Sequence, residues 1–308
     1  MSDSSGPAAR FGLAVVLVVG IGVALRSLPL FASPLPFNPD GVLAAGWARS
    51  TIDTGSLPLA SIAVDDLSFT AFLAILSEVT GVRPLFISQP AIAVVGTLPG
   101  LLAVAVGRRL GLARGFDRGT ARRAGLFGGL LLAVEGLYLH RSMPVEDQTL
   151  GLFVVPLGLL AVYRGYRRRS GAWYVAGGLL LASVPPLHNL DTAIAALGLV
   201  LLVVVAGATS SRRATPLAVG AVGFAVIAVG YNLAAAALTP AEITQSARLL
   251  DFPGLFVAWI VLMGLVLAWI VRGGSRRQRV LVLGVLGSWF LLLLANAVRS
   301  VFPGTPST

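Results

Sequence analysis

Long apolar runs alternate with short polar ones along most of the chain. Nine of these runs approach the roughly 20 residues that a bilayer-spanning helix needs: 11–28, 87–107, 124–139, 149–162, 172–187, 192–208, 217–238, 253–271 and 280–298. A tenth, 67–82, is shorter and carries Glu78. The runs are continuous rather than alternating residue by residue, which excludes a transmembrane β-barrel. The predicted fold class is all-α: a polytopic transmembrane helical bundle of about nine spans, with interfacial helices on its outer surface. Residues 1–308 read as a single transmembrane domain. Within it, 32–86 form a long outer loop with amphipathic or re-entrant helices, and 87–308 hold the remaining spans.

The polar gaps decide the orientation. Four of them are basic, with 6, 4, 2 and 4 Arg in 108–123, 164–169, 212–213 and 272–279, or 16 of the 23 Arg. Cytoplasmic loops collect Lys and Arg, and every second loop from Arg108 onward is basic. These loops therefore share the cytoplasmic side, and Arg10 belongs with them. An even number of crossings must separate Arg10 from Arg108, so 67–82 is expected not to span. The N-terminus is then cytoplasmic. The first apolar run is expected to be a retained span and not a signal peptide, because it is long and no small-residue cleavage site follows it.

Composition sharpens the class. Only 12% of residues are charged, 56% are hydrophobic and the mean hydropathy is +0.88. A soluble domain carries about 25% charged residues. The net charge of +10 therefore reflects loop Arg of a membrane protein, not a nucleic-acid-binding surface. With no Cys and two His, disulfides, thiol nucleophiles and multi-histidine zinc sites are excluded.

Ten of the 13 carboxylates fall on the outer side or its membrane edge. The long outer loop begins with Phe37-Asn38-Pro39-Asp40-Gly41. Pro39 forces Asn38 into an extended conformation, and 41–51 read as a surface helix with Val42, Leu43, Ala45 and Trp47 on an apolar face. Asp40 is expected to cap that helix, or to be a carboxylate held at the membrane–water boundary. A second outer segment is His140-Arg141-Ser142-Met143-Pro144-Val145-Glu146-Asp147. Glu146 and Asp147 open the next helix, where the helix dipole favours acids. With Asp40 they could supply hard oxygen ligands to a divalent cation, magnesium or manganese. A third segment is His188-Asn189-Leu190-Asp191-Thr192. Arg26 and Arg141 break the positive-inside pattern, which points to an anionic partner such as a carboxylate or a lipid phosphate. Snorkelling from a helix end is the plainer reading of Arg26. Glu135 is expected inside a span, near its outer end.

The order of these segments resembles the membrane-embedded glycosyltransferases of the GT-C superfamily, in the dolichyl-phosphate-mannose and oligosaccharyltransferase-like branch. The resemblance rests on a first span, an outer loop with an early Asp, the short helix ending in Val79-Thr80-Gly81, the span ending in Gly107-Arg108-Arg109-Leu110, the run Arg141 to Phe153, and Leu187-His188-Asn189-Leu190-Asp191-Thr192. It covers roughly residues 11–208. It implies transfer of a sugar from a polyprenyl-phosphate donor to a lipid, glycan or protein acceptor on the outer face. Asp40 would then match the first-loop acid that acts as general base or metal ligand, and Glu146 and Asp147 the acids of the second outer loop. Arg141 and His188 would contact the donor phosphate. Arg26, Asn38, His140 and Asp191 are further candidate substrate-binding residues. The first-loop acid stands without the paired acid of several branches. At 308 residues the chain is shorter than most members, which leaves room for a partner subunit beside the surrounding lipids. A secondary transporter or a non-catalytic accessory subunit are the alternative classes. Transporters place ionisable groups near the midplane in repeated halves, whereas here the spans after Thr192 carry few charges and no repeat is evident.

Overall fold

The computed structural model describes residues 7–59, 66–209 and 211–238. The two expected spans at 253–271 and 280–298 lie outside the described residues. The chain divides into two compact units, Met1–Gly198 with Val222–Leu238, and Leu199–Ala221 with Thr239–Thr308. Every described element is helical. Three stretches are long and apolar enough to cross a membrane: Ala8–Arg26, Pro84–Ala113 and Asp147–Arg168. Four apolar helices are shorter, namely Leu67–Thr80, Gly171–Ala182, Leu190–Val203 and Thr215–Tyr231.

Helix α1 (Pro7–Arg26) is the first apolar run and ends at Arg26 in a short 3-10 turn, Leu28–Phe31. Helix α2 (Pro39–Thr54) begins where Pro39 fixes the first helical turn and stops at left-handed Gly55, φ 67°. Its cap is Asn38, not Asp40, which sits inside the first turn. The packed face of α2 is also different from the expected one. It is made of the small residues Gly41, Ala44, Ala45 and Ala48, while Val42 and Leu43 point outward. Small side chains let the helix backbone approach its neighbours closely.

Helix α3 (Leu67–Thr80) has 14 residues, about 21 Å of helix against roughly 30 Å of hydrocarbon. It buries Phe69 and Leu73 and ends at left-handed Gly81, φ 70°. Helices α4 (Pro84–Val95) and α5 (Leu98–Ala113) form one apolar stretch interrupted at Gly96 and Thr97. Helix α6 (Arg118–Val134) is capped by Asp117, whose Oδ1 accepts from the backbone N–H of Gly119 at 2.7 Å and Thr120 at 3.1 Å. The Thr120 hydroxyl, which donates to Asp117 Oδ2, and then these two backbone bonds hold the Asp117 carboxyl below its ordinary range.

The run at 124–139 does not form the single helix expected from its hydropathy. The backbone leaves the helix at Glu135, and α7 (Gly136–Ser142) starts afresh. Glu135 is not a bare intramembrane acid but the cap of α7. Its carboxylate accepts from the N–H of Leu137 at 3.0 Å and of Tyr138 at 2.6 Å. Helix α8 (Asp147–Arg168) ends at left-handed Arg169, φ 53°, and α9 (Gly171–Ala182) follows directly. Helices α10 (Asn189–Thr209) and α11 (Ser211–Leu238) complete the described chain.

Helices α5 and α6 pack along small residues. A Cβ placed on Gly107 would lie 3.1 Å from the Gly125 Cα, and one on Gly125 would lie 2.5 Å from the Val104 carbonyl oxygen. Large apolar side chains face outward instead, including Leu13, Val16 and Leu17 on α1 and Phe127 and Leu131 on α6. Lipid gives helices no hydrophobic reason to associate, so close backbone contact must hold them. Gly125→Val is therefore expected to cost about 1–3 kcal/mol, the usual range for overpacking a tight interface. Thermal unfolding in detergent measures it, and an unchanged midpoint would mean that α5 and α6 are not held by this contact.

Candidate functional site

The site is assembled around a clasp between two chain segments more than a hundred residues apart. Asn38 is extended, φ −112° and ψ 147°, as the following proline requires. Its amide then faces Val145 like a strand backbone. The Asn38 Nδ2 donates to the Val145 carbonyl at 3.2 Å, and the Val145 N–H donates to Asn38 Oδ1 at 3.0 Å. Gly41 permits the approach: a Cβ there would lie 2.6 Å from the Val145 Cβ and 2.8 Å from the Pro36 Cβ. Val145 is fully buried in a core with Ala44, Ala48, Phe69, Leu73, Ile92 and Leu187. Asn38 is thus a positioning residue, with its amide occupied by backbone rather than open to a substrate.

Asp40 and Glu146 lie two residues and one residue beyond the bonded pair, and the clasp leaves the Asp40 charge within electrostatic reach of Glu146. Asp40 is exposed on the first turn of α2, and Glu146 is half-buried at the start of α8. Burial pushes the Glu146 carboxyl above its ordinary range, and the negative charge of Asp40 pushes it further. Arg141, His140 and His188 act in the opposite sense. His140 and Arg141 are exposed on the last turn of α7. Three of the sequence segments therefore act on one carboxylate. Asp147 lies in the first turn of α8, where its Oδ1 accepts from the Gln148 N–H at 2.7 Å.

A network of buried polar contacts holds the 140–149 segment in place. Tyr138 Oη donates to the Gly96 carbonyl at 3.0 Å, Gln89 Nε2 to the Met143 carbonyl at 3.0 Å, and Thr149 Oγ1 to the Pro144 carbonyl at 3.1 Å. Gly96 also has the Ser142 carbonyl against it, so no side chain fits there. Arg26 belongs to this network and does not reach the site. It is 0% exposed. Its Nε donates to Ser142 Oγ at 2.8 Å, and its Nη1 to the carbonyls of Gly22 at 3.1 Å and Ala133 at 3.3 Å. The guanidinium also lies 5.1 Å from the centre of the Tyr138 ring. Arg26, a candidate substrate-binding residue from the sequence, is enclosed and bonded to the chain itself.

The 188–191 segment forms a third wall. Its chain is tied to α3 by the Ser68 N–H, which donates to the Pro186 carbonyl at 2.9 Å. His188 Nε2 is 3.1 Å from Gln148 Nε2, and His188 Nδ1 is 3.5 Å from Asp191 Oδ2. Asp191 is 6% exposed and its carboxylate rests on Gly151 of α8. Asp191 is therefore enclosed beside His188 and is not itself a surface contact for substrate.

Among the described residues no three His, Asp or Glu side chains gather closely enough to hold a metal ion. Asp40, Glu146 and Asp147 do not make a dedicated cage. Asp40 and Glu146 suit only the sparser pattern in which one or two carboxylates hold magnesium against a substrate phosphate.

Gln89, Tyr138, Ser142, Gly41 and Gly151 are positioning residues that the motif reading passes over. Gln89 is the one that could be found from sequence, as an amide inside an apolar run. Asn38→Leu tests the clasp. The apolar side chain leaves the buried Val145 N–H and carbonyl without partners, each worth about 1–3 kcal/mol. A lowered unfolding midpoint is expected, and equal stability would show that the clasp contributes nothing. Compared with known proteins, the chain matches no protein-family model, no curated protein and no solved structure.

Proposed function

We propose that this protein is a nine-span membrane glycosyltransferase that moves a sugar from a polyprenyl-phosphate donor to a lipid, glycan or protein acceptor on the outer face. The observation that carries the reading is the meeting of Asp40 and Glu146, with Arg141 and His140 beside them, at the ends of apolar helices. A lipid-linked sugar presents its donor bond at headgroup level. A charge at the bilayer centre costs about 2.5–3.5 kcal/mol on insertion scales, so helix ends are where charged groups can do this chemistry.

Glu146 is the general base in this scheme. A base works best with a pKa near the working pH, and Glu146 is the acid that partial burial and a neighbouring charge push upward. Asp40, the base implied by the family resemblance, stands exposed and raises Glu146 instead. The Glu146 carboxylate takes the proton of the acceptor hydroxyl, whose oxygen attacks the anomeric carbon. The bond from that carbon to the phosphate oxygen breaks with inversion, through an oxocarbenium-like transition state. The polyprenyl phosphate departs with the bonding pair, and Arg141 stabilises the charge that builds on it. Bound magnesium would add positive charge at that phosphate, and the steps above use only the chain's own groups.

The test uses the full-length protein in proteoliposomes with a polyprenyl-phosphate sugar labelled in the sugar. Label should pass to an acceptor, and Arg141→Gln should slow it by about a hundredfold, the usual loss for one phosphate-stabilising contact. Uptake of a small solute without any transfer product would overturn the proposal in favour of a transporter.

A further inference from the structure

The opposite ends of α5 and α8 carry a second charged site. Three arginines converge there: Arg109 from α5, and Arg164 and Arg168 from the last turns of α8. Arg109 and Arg168 both stand within electrostatic reach of Arg164. None of the three is paired with a carboxylate among the described residues. Like charges from two helices repel, and among the described residues no acid neutralises them.

The position of Arg164 is built rather than incidental. A Cβ at Gly165 would lie 2.9 Å from the Tyr174 ring, so that glycine lets the start of α9 close onto α8. The left-handed turn at Arg169 sends the chain back directly. Trp173 is thereby laid on Arg164, whose guanidinium carbon is 4.9 Å from the ring centre. The Arg164 Nε is enclosed without a hydrogen-bond partner among the described residues, on a side chain that is only half-buried. The rest of the guanidinium is open to solvent and free to present its N–H groups to an anionic acceptor. Loop orientation alone needs basic residues near a membrane edge. It needs neither their convergence, nor a tryptophan holding one of them, nor an unfilled donor.

We propose that Arg109, Arg164 and Arg168 form a binding site for the phosphodiester of an anionic membrane lipid, such as phosphatidylglycerol, with Trp173 fixing the plane of the Arg164 fork. A guanidinium presents two parallel N–H groups to phosphate oxygens. Basic pockets between helices on the cytoplasmic side suit such headgroups, and tryptophan prefers the same depth. The site lies apart from Asp40 and Glu146 and does not depend on the transfer chemistry.

The experiment follows thermal unfolding of the full-length protein in a neutral detergent. Phosphatidylglycerol is titrated in one arm, phosphatidylcholine in a second, and inorganic phosphate in a third. Phosphatidylglycerol should raise the unfolding midpoint to saturation while phosphatidylcholine leaves it unchanged. Each arginine near a charged lipid surface is worth about fivefold in affinity, so Arg109→Gln with Arg164→Gln should weaken binding about twenty-fivefold. Arg168→Gln, at an exposed position, keeps the question open to test if the double variant does not fold, and should weaken binding about fivefold. Unchanged affinity in these variants would overturn the proposal, as would equal stabilisation by phosphatidylcholine. Stabilisation by inorganic phosphate that competes with the lipid would overturn the lipid assignment.

Discussion

Glu146→Gln is expected to lower sugar transfer by at least a hundredfold, the lower end of the range for losing a positioned base. The amide keeps the shape of the side chain and cannot take a proton. Asp40→Asn separates the two acids. If Glu146 is the base, Asp40→Asn removes a negative charge that holds the Glu146 carboxyl high, and the acid limb of the pH–rate profile moves to lower pH. Arg141 acts on Glu146 in the opposite sense, so in residual activity Arg141→Gln should move that limb to higher pH. Loss of transfer in Asp40→Asn with near-normal transfer in Glu146→Gln would assign the base to Asp40. The same residue leaves a trace in stability. A raised pKa means that the folded chain holds the Glu146 proton more tightly than the unfolded chain does. Ionised Glu146 therefore disfavours the fold above its raised pKa, and the penalty disappears below the ordinary carboxylate range. Glu146→Gln should be more stable than the parent at neutral pH and equal to it in acid.

The second large effect is expected from Arg26→Ala, at about 3 kcal/mol or more of stability, as for removal of other large buried side chains. The truncation opens a hole where α1, α6 and α7 meet and removes the donor to Ser142 Oγ and the Ala133 carbonyl. Arg26→Met keeps most of the volume and drops the charge. Replacing a buried charge by a packed apolar chain is often tolerated, so Arg26→Met should recover much of the loss. Unfolding midpoints of the two variants measure this. Equal damage in both would show that the hydrogen bonds, and not the packing, hold the segment.

Most of the described helices can be placed from hydropathy, because they are apolar runs; Pro39–Thr54, Arg118–Val134 and Gly136–Ser142 are not. Leu67–Thr80 is short in both readings. The breaks are harder to read. Glu135 inside an apolar run looks like an intramembrane acid, since sequence does not show that its carboxylate caps the next helix. Asp40 looks like a cap for the same kind of reason, until Asn38 is seen to hold that place with its amide bound to Val145. The two acids were legible as candidates by their loops, but the means of joining them was not. Val145 contributes through its backbone, and an apolar residue gives no sign of that. Arg26 and Arg141 are alike in sequence, yet one is enclosed by α1, α6 and α7 and the other is exposed.

The pairing of Asn38 with Val145 also bears on biosynthesis. Asn38 leaves the ribosome 107 residues before the Val145 backbone it pairs with. Until then the alanine face of α2, Ala44, Ala45 and Ala48, has no completed seat, because Val145 and Leu187 of the same core are still to be made. Contacts so distant along the chain form late. The carboxylate pair consequently cannot form until the chain has grown past Glu146, and chains released before that residue lack it altogether.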